Sequence, residues 1–504
     1  MKRRIDFYQR ITGRKLEEDT RRPNLSDIVH RQSKQGKSKY QLRLLGKGEK
    51  EVWITEEERY VNFHILGAPG EGKSKFLEYH IRRDIDMGNG LCLIDPSDRG
   101  DTARNVLNYC AKIGYEKVIL IDPTTISEYK KIPCIAPLNA QYDNKSVDGV
   151  MEALAILFKG DYSTMRRIRR YLSALLRILA RQNLTLKDAQ YFSDYKLDIM
   201  ERVAILENDI DRDSYVIEDL FRSPARFDEH FASTVNIMDV FWREPLRSIL
   251  SNSEGIDFKR AVADGWVILV NLSSYAMTEE QAELLGVLII SQIMQAVDNL
   301  VNSKRGKWKG KYYLYIDEAG FFATPQLKTL LLRKRKSGIV LYLSHHDYEQ
   351  FEGRKAVLSA IEGAARIKLM FNTVGYDDRI RMIKSLGYGG NIPPLMAAYA
   401  NSDLPKQHAI LKKNKEPPVR IRIPDVSEVP DAPKEYIEKL LSQSFYKDVR
   451  STQTNTRRAQ SGKVDDPETV MSPLVPFGTE KLAQTLRPDN KKSPEPPPKR
   501  PIKI

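Results

Sequence analysis

Residues 67–74 read GAPGEGKS, which fits the spacing G-x-x-x-x-G-K-[ST] in full. The run before it, YVNFHIL (60–66), is short and apolar like a buried strand, and a helical pattern opens at Lys73 and continues to about Met87. A glycine-rich turn between a buried strand and a helix start leaves few folds open. Gly67, Gly70 and Gly72 let the backbone curl until its N–H groups point inward at phosphate oxygens. The helix N-terminus adds partial positive charge. Lys73 then serves as a point charge for the β- and γ-phosphates, and the Ser74 hydroxyl as a hard oxygen ligand for Mg²⁺. Glu71 and Lys75 belong to the same nucleotide-binding loop. The cofactors expected are ATP and Mg²⁺.

A second motif completes the chemistry. YYLYIDEAG (312–320) is an apolar strand that ends in two adjacent carboxylates. In phosphate-loop enzymes the first, Asp317, holds the metal, and the second, Glu318, polarises the attacking water. Neighbouring side chains at a strand end point different ways, which suits two roles. Glu318 favours hydrolysis over transfer of phosphate to a second substrate, so the expectation is an ATP hydrolase.

The rhythm around these motifs is that of an α/β fold. Strand-like GLCLIDP (90–96) and KVILIDP (117–123) alternate with helical 73–87 and 102–113, which argues for a mostly parallel sheet. Residues 145–235 break the pattern with helical periodicity and no convincing strand; Ile168, Leu172, Leu175, Leu176 and Leu179 share one helix face. Sheet runs resume at 266–272, 312–317, 339–344 and 365–371, with a long helix around 279–301. The expected fold is a RecA-like P-loop NTPase core with an inserted all-α domain and a disordered, basic C-terminal tail. The expected boundaries are a basic segment 1–50, NTPase core 51–144, all-α insertion 145–240, NTPase core again at 241–430, and a C-terminal helix with a Pro-rich tail at 431–504.

Charge is unevenly spread. The net value is +14, of which residues 1–50 carry +9 and residues 451–504 carry +4, so the interior is close to neutral. Basic ends suit a polyanion or an anionic membrane surface, and solvated tails are the competing reading. The tail from 451 holds nine prolines in 54 residues, too little apolar surface to offset ordering entropy. Cys92, Cys110 and Cys134 lack metal-type spacing and read as small buried residues of a reducing compartment. No integral membrane segment is expected, since the longest unbroken apolar run, Leu284–Ile290, is far short of the roughly 20 residues a span needs. The basic start has no apolar stretch behind it, so a cytoplasmic location is expected.

Several stretches together resemble the FtsK/HerA superfamily of ring-forming motors, and within it the conjugative coupling proteins (TraD/TraG-like) of type IV secretion. They are IDPSDRGD (94–101), VILIDPTT (118–125) with IAPLNA (135–140), DGWVILVNLSSYAMTEEQAELLGVLIISQI (264–293), RKSGIVLYLSHHDYEQF (335–351) and IEGAARIKLMFNTVGYDD (361–378). Two departures stand out: the family's N-terminal membrane helices are not seen, and His345-His346 occupies the sensor position usually held by Gln. The spacing to Gln350 favours His346 as the match. The resemblance implies a homo-hexameric ring, DNA as the translocated partner, and a secretion-channel or membrane-anchored partner, with the protein itself cytoplasmic and peripheral at the inner face of the membrane. It also implies that Arg335 is a finger donated to a neighbour's ATP, with Arg366 as runner-up and a solvated basic face as the competing reading of 330–338. Asp95 and Asp98 read as a turn or a nucleotide-binding loop. The arginine-rich RRIRRYLSALLRILAR (166–181) reads as the charged face of a helix or a contact for DNA or a partner. The expected function is an ATP-driven DNA translocase or coupling ATPase in conjugation-like secretion. The alternatives are a HerA-like DNA-processing helicase and a substrate-receptor adaptor.

Overall fold

The computed structural model describes residues 42–48, 51–138, 143–156, 166–181, 183–192, 225, 232–234, 236–302, 308, 310–333, 338–373, 375–386, 393–401 and 403–449. The expectations for residues 1–41, for Arg335 and for the Pro-rich tail lie outside the described residues, as does most of 193–235.

Among the described residues the first elements that matter here are β1 (Leu42–Lys47), β2 (Glu51–Thr55), β3 (Asn62–Leu66), α1 (Lys73–Met87), β4 (Gly90–Asp95), α2 (Asp101–Lys112), β5 (Val118–Ile121) and β6 (Lys131–Pro133). Helices α3 (Asp143–Ala155) and α4 (Arg166–Arg181) come next, then β7 (Val267–Asn271), α5 (Glu279–Asn302), β8 (Tyr312–Ile316), α6 (Pro325–Arg333) and β9 (Ile339–His345). The last group is α7 (Lys355–Ala364), β10 (Ala365–Met370), α8 (Tyr376–Ser385), α9 (Pro394–Asn401), β11 (His408–Lys413), β12 (Val419–Arg422), α10 (Lys434–Leu441) and β13 (Tyr446–Asp448).

Eleven strands form one sheet in the order β2-β1-β12-β11-β10-β3-β9-β8-β4-β7-β5. From β10 to β5 every neighbour is parallel, and the other four strands add antiparallel at the β10 edge. The parallel strands are buried on both faces, which explains their unbroken Val/Ile/Leu/Tyr runs. Alternation sends Cys92, Ile94, Leu314 and Ile316 into one core, and Leu91, Leu93, Tyr313 and Tyr315 into the other. The first core also takes in α5 and the apolar face of α4, including Leu172, Leu175, Leu176 and Leu179. Described residues within 145–240 contain helix and 3₁₀ turns but no strand, and their apolar face packs into the same core as the sheet. Helix α5 is long and apolar enough by length and composition to cross a membrane, but two-thirds of its apolar window is buried inside the fold.

Helix α1, which begins with the phosphate loop, is tied to the sheet by a buried ionic cluster. Asp84 on α1 accepts from Arg43 of β1 at 2.5 Å, from Arg59 at 2.8 and 2.5 Å, and from the Tyr315 hydroxyl at 2.5 Å. The Arg59 guanidinium lies 3.8 Å from the centre of the Tyr313 ring. Asp84, Arg59 and Arg43 are all at most 1% exposed. Burial pushes the Asp84 carboxyl up, but the two guanidiniums outweigh it and hold the group well below the ordinary carboxylate range. The cluster fixes the far end of α1 and so sets where its first turn meets the strand ends.

Candidate active site

The site is built where three neighbouring parallel strands, β3, β9 and β8, end at their carboxyl edge, the edge where open α/β sheets bind ligands. After β3 the chain turns through Gly70 (φ 78°) and Gly72 (φ 118°), both in the left-handed region that a side chain disfavours. Gly67 lies against β10's continuation: a Cβ there would sit 2.5 Å from the Cβ of Phe371. The Ala68 N–H donates to the Asn372 carbonyl at 2.6 Å, and the Asn372 side chain reaches Glu71 at 3.0 Å and the Leu404 carbonyl at 2.9 Å. The loop is thus fastened from the side by Asn372, a residue that sequence reasoning missed because a polar group at a strand end carries no distinctive signal.

Both motifs meet. The Ser74 hydroxyl donates to Oδ2 of Asp317 at 3.0 Å across 243 positions of chain. The Ser344 hydroxyl of β9 donates to Oδ1 of the same carboxylate. Burial, reinforced by the adjacent Glu318 charge, holds the Asp317 carboxyl above its ordinary value. A hydroxyl and a buried carboxylate with adjacent oxygens form a hard donor pair suited to Mg²⁺, and the glycine turn forms a cradle for phosphates. The residues present therefore fit magnesium and a nucleoside triphosphate. Ser74 and Asp317 would hold the metal, and Lys73 would meet the phosphates.

His346 stands between Lys73 and Glu318. Strand alternation decides which histidine reaches the site: His345 points into the core and His346 out of it. The Lys73 ammonium lies 2.7 Å from Nδ1 of His346 and 3.2 Å from the Ala68 carbonyl. An ammonium only donates, so Nδ1 is the bare nitrogen and Nε2 carries the ring proton. Nε2 lies 2.7 Å from Oε1 of Glu318 and donates to it. Burial pulls the Lys73 ammonium below its ordinary value, against the opposing pull of Glu318 and Asp317. Burial pushes Glu318 up, but the hydrogen bonds from His346 and Gln350 and the charge of Lys73 outweigh it and leave its carboxyl low. Glu318 also has φ 49°, which costs a non-glycine residue about 1–2 kcal/mol.

His345 anchors this arrangement from inside. Its Nδ1 donates to the Asp347 carbonyl at 2.7 Å, and its Nε2 accepts from Nε2 of His64 on β3 at 2.7 Å. Burial keeps both rings neutral, with His345 pushed down to about 4 and His64 well below its ordinary value.

The remaining predicted residues separate. Lys75 is exposed on α1, and Arg366 is exposed on β10. Asp95 serves a turn: it accepts from the Ser97 hydroxyl at 2.6 Å and the Ala103 N–H at 2.9 Å. Burial and the Asp317 charge push its carboxyl up to about 6. Asp98 is exposed and lies 3.4 Å from the Ser274 hydroxyl. Arg166, Arg169 and Arg170 occupy the exposed face of α4. Among the described residues no group of three or more His, Cys, Asp and Glu side chains forms a metal centre.

No protein-family model matches the chain, and no curated protein matches it. Solved structures do. The bacterial conjugative coupling protein TrwB in an unbound form aligns with a TM-score of 0.55 at 15% identity, covering 79% of this chain and 92% of that one. TrwB in complex with the non-hydrolysable ATP analogue ADPNP gives 0.57 at 16%, covering 77% and 90%. VirB4 of Thermoanaerobacter pseudethanolicus gives 0.51 at 14%, covering 76% and 96%. At such identities the likeness is one of fold, and the chain has the α/β architecture, built on a large and mostly parallel sheet, of TrwB and VirB4.

Proposed function

We propose that the chain is an ATP-hydrolysing motor that moves DNA in conjugation-like type IV secretion. The observation that carries the reading is the Ser74–Asp317 hydrogen bond at 3.0 Å, which brings the phosphate loop and the paired carboxylates to one point. Fold likeness supports it: TrwB is a conjugative coupling protein and has been solved with ADPNP and with ADP and Mg²⁺.

When bound, Mg²⁺ supplies positive charge to the β- and γ-phosphate oxygens. The chain's own residues do the rest. The loop amides and Lys73 bind and orient the triphosphate. Glu318 takes the proton from the attacking water, and its low carboxyl keeps it in the form that accepts. His346 holds Glu318 through Nε2 and meets Lys73 through Nδ1, so it links the phosphate-binding cation to the base. Arg335 is the proposed finger that reaches a neighbouring subunit's ATP in a homo-hexamer, where guanidinium geometry suits the equatorial phosphate oxygens. The cargo is DNA, handed to a secretion channel, with the protein peripheral at the inner face of the membrane.

The test is ATP turnover of the purified chain with and without single- and double-stranded DNA. Strong stimulation by DNA is expected. Turnover indifferent to DNA would sink the motor reading, and absence of turnover would sink the enzyme reading.

A further inference from the structure

The turn that carries Glu318 is gripped by the segment that follows β9. The Gln350 carboxamide donates from Nε2 to Oε2 of Glu318 at 2.8 Å, and its Oε1 accepts from the His346 backbone N–H at 3.4 Å. The backbone N–H of Gln350 is in turn held by Oδ1 of Asp347 at 3.0 Å. Four residues later, past a turn, Arg354 donates from Nη1 to the carbonyls of Gly320 at 2.6 Å and Phe321 at 3.0 Å. The two turns touch at Gly320. A Cβ built there would lie 2.5 Å from the Cβ of Gln350 and 2.9 Å from its carbonyl oxygen, so only glycine admits the approach. The Ala319 N–H also donates to the Ser344 carbonyl at 2.7 Å.

These contacts converge on a residue whose backbone would relax if released, because Glu318 sits in the left-handed region. Its carboxylate is held at both oxygens, Oε1 by the His346 ring and Oε2 by Gln350. Each oxygen keeps a second lone pair, so the carboxylate is fixed in direction yet still able to accept a proton. We propose that Gln350 and Arg354 are positioning residues for Glu318: Gln350 sets the rotation of the carboxylate, and Arg354 holds the strained turn beneath it. The proposal rests on the reading of Glu318 as the group that takes the proton from water, and it adds the residues that aim it. Geometric aim is worth a large share of a general base's contribution, since a small misplacement of the reacting atoms costs rate without costing affinity.

The experiment uses the full chain and Gln350→Met, which keeps the shape and removes the donor. A fall in kcat of about 10-fold or more is expected, with KM for ATP and affinity for a fluorescent non-hydrolysable ATP analogue unchanged. Gln350→Glu, which sets a second carboxylate against Glu318, falls further. Gly320→Ala, which pushes Gln350 away by its added Cβ, reproduces the defect of Gln350→Met. A second readout needs no turnover: urea midpoints of Gln350→Met, Glu318→Ala and the double variant, where the joint effect is expected to be smaller than the sum. Wild-type kcat in Gln350→Met, or midpoints that add, overturns the proposal. A wild-type chain without turnover would remove the ATPase reading instead, and the urea cycle would still decide whether Gln350 holds Glu318.

Discussion

Glu318 is where charge, strain and position coincide, so it is the residue whose replacement is most informative. Glu318→Gln keeps the shape but removes the proton-accepting carboxylate and turns one of its two acceptor oxygens into a donor. Hydrolysis is expected to be abolished while ATP still binds, read as turnover beside binding of a fluorescent ATP analogue. Lys73→Ala acts on the other partner of His346. It removes a cation that is 4% exposed, and the expected loss in kcat is about 10²–10³-fold or more, with weakened nucleotide binding. If Glu318→Gln kept its turnover, Glu318 would lose its catalytic place and His346 its reason to face it. The tautomer argument adds a sharper check. Because Nδ1 of His346 accepts from Lys73 and Nε2 donates to Glu318, nitrogen NMR of the nucleotide-free protein should show the Nε2–H form.

At the scale of elements, the placement of the phosphate loop depends on α1, and α1 depends on Asp84. Asp84→Asn takes from Arg43 and Arg59 the fully buried carboxylate they share and leaves them only Glu56 at the edge of the cluster, a loss of about 3–5 kcal/mol for a broken buried pair. Urea denaturation at neutral pH measures it. The pH dependence follows from the sign of the shift. The folded carboxyl lies below its unfolded value of about 3.9, so its stabilisation is complete above that value and is lost as pH falls through the folded one. Stability of the wild type should therefore drop faster in acid than that of Asp84→Asn. The parallel strands, the phosphate loop and the acidic pair were legible in the sequence because two-sided burial writes unbroken apolar runs and the glycine spacing is unusual. The antiparallel strands were not. β2 (EVWIT) mixes charge with apolar residues because only one of its faces is buried, and in β1 (LRLLGK) the buried Arg43 disguises an inward position as a surface one. Arg354 was equally hidden, and Gln350 entered only as a spacing mark for His346, since the value of both lies in contacts about 30 positions upstream that no local pattern records.

For the whole molecule, the instructive feature is how the chain closes after β12. Ile423 packs where a side chain on Gly72 would stand. The Ser427 carbonyl then accepts from Arg82 on α1, Asp431 from Asn108 on α2, and Tyr436 donates to the Tyr115 carbonyl. The segment ends at β5, the last strand of the sheet, whose Leu120 N–H and C=O both bond the Tyr446 hydroxyl at 2.8 and 2.9 Å. An edge strand left open invites pairing with other chains, and one hydroxyl here satisfies two of its groups. Tyr446→Phe should cost about 1–3 kcal/mol in a urea titration by leaving buried backbone groups unmet. Beyond this strap the sequence turns basic, with ten Lys and Arg against six Asp and Glu after residue 450. If those charges meet DNA, they act through counterion release, and the logarithm of affinity falls with the logarithm of salt by about 0.7 per neutralised phosphate on single strands. A chain ending at Val449 retains every described contact of the site, so its basal ATP turnover should match the wild type. Its DNA affinity should fall at low salt, and its salt dependence should flatten. An unchanged slope in a binding titration across salt concentrations would remove the tail from the DNA interface and leave that interface to the rest of the chain.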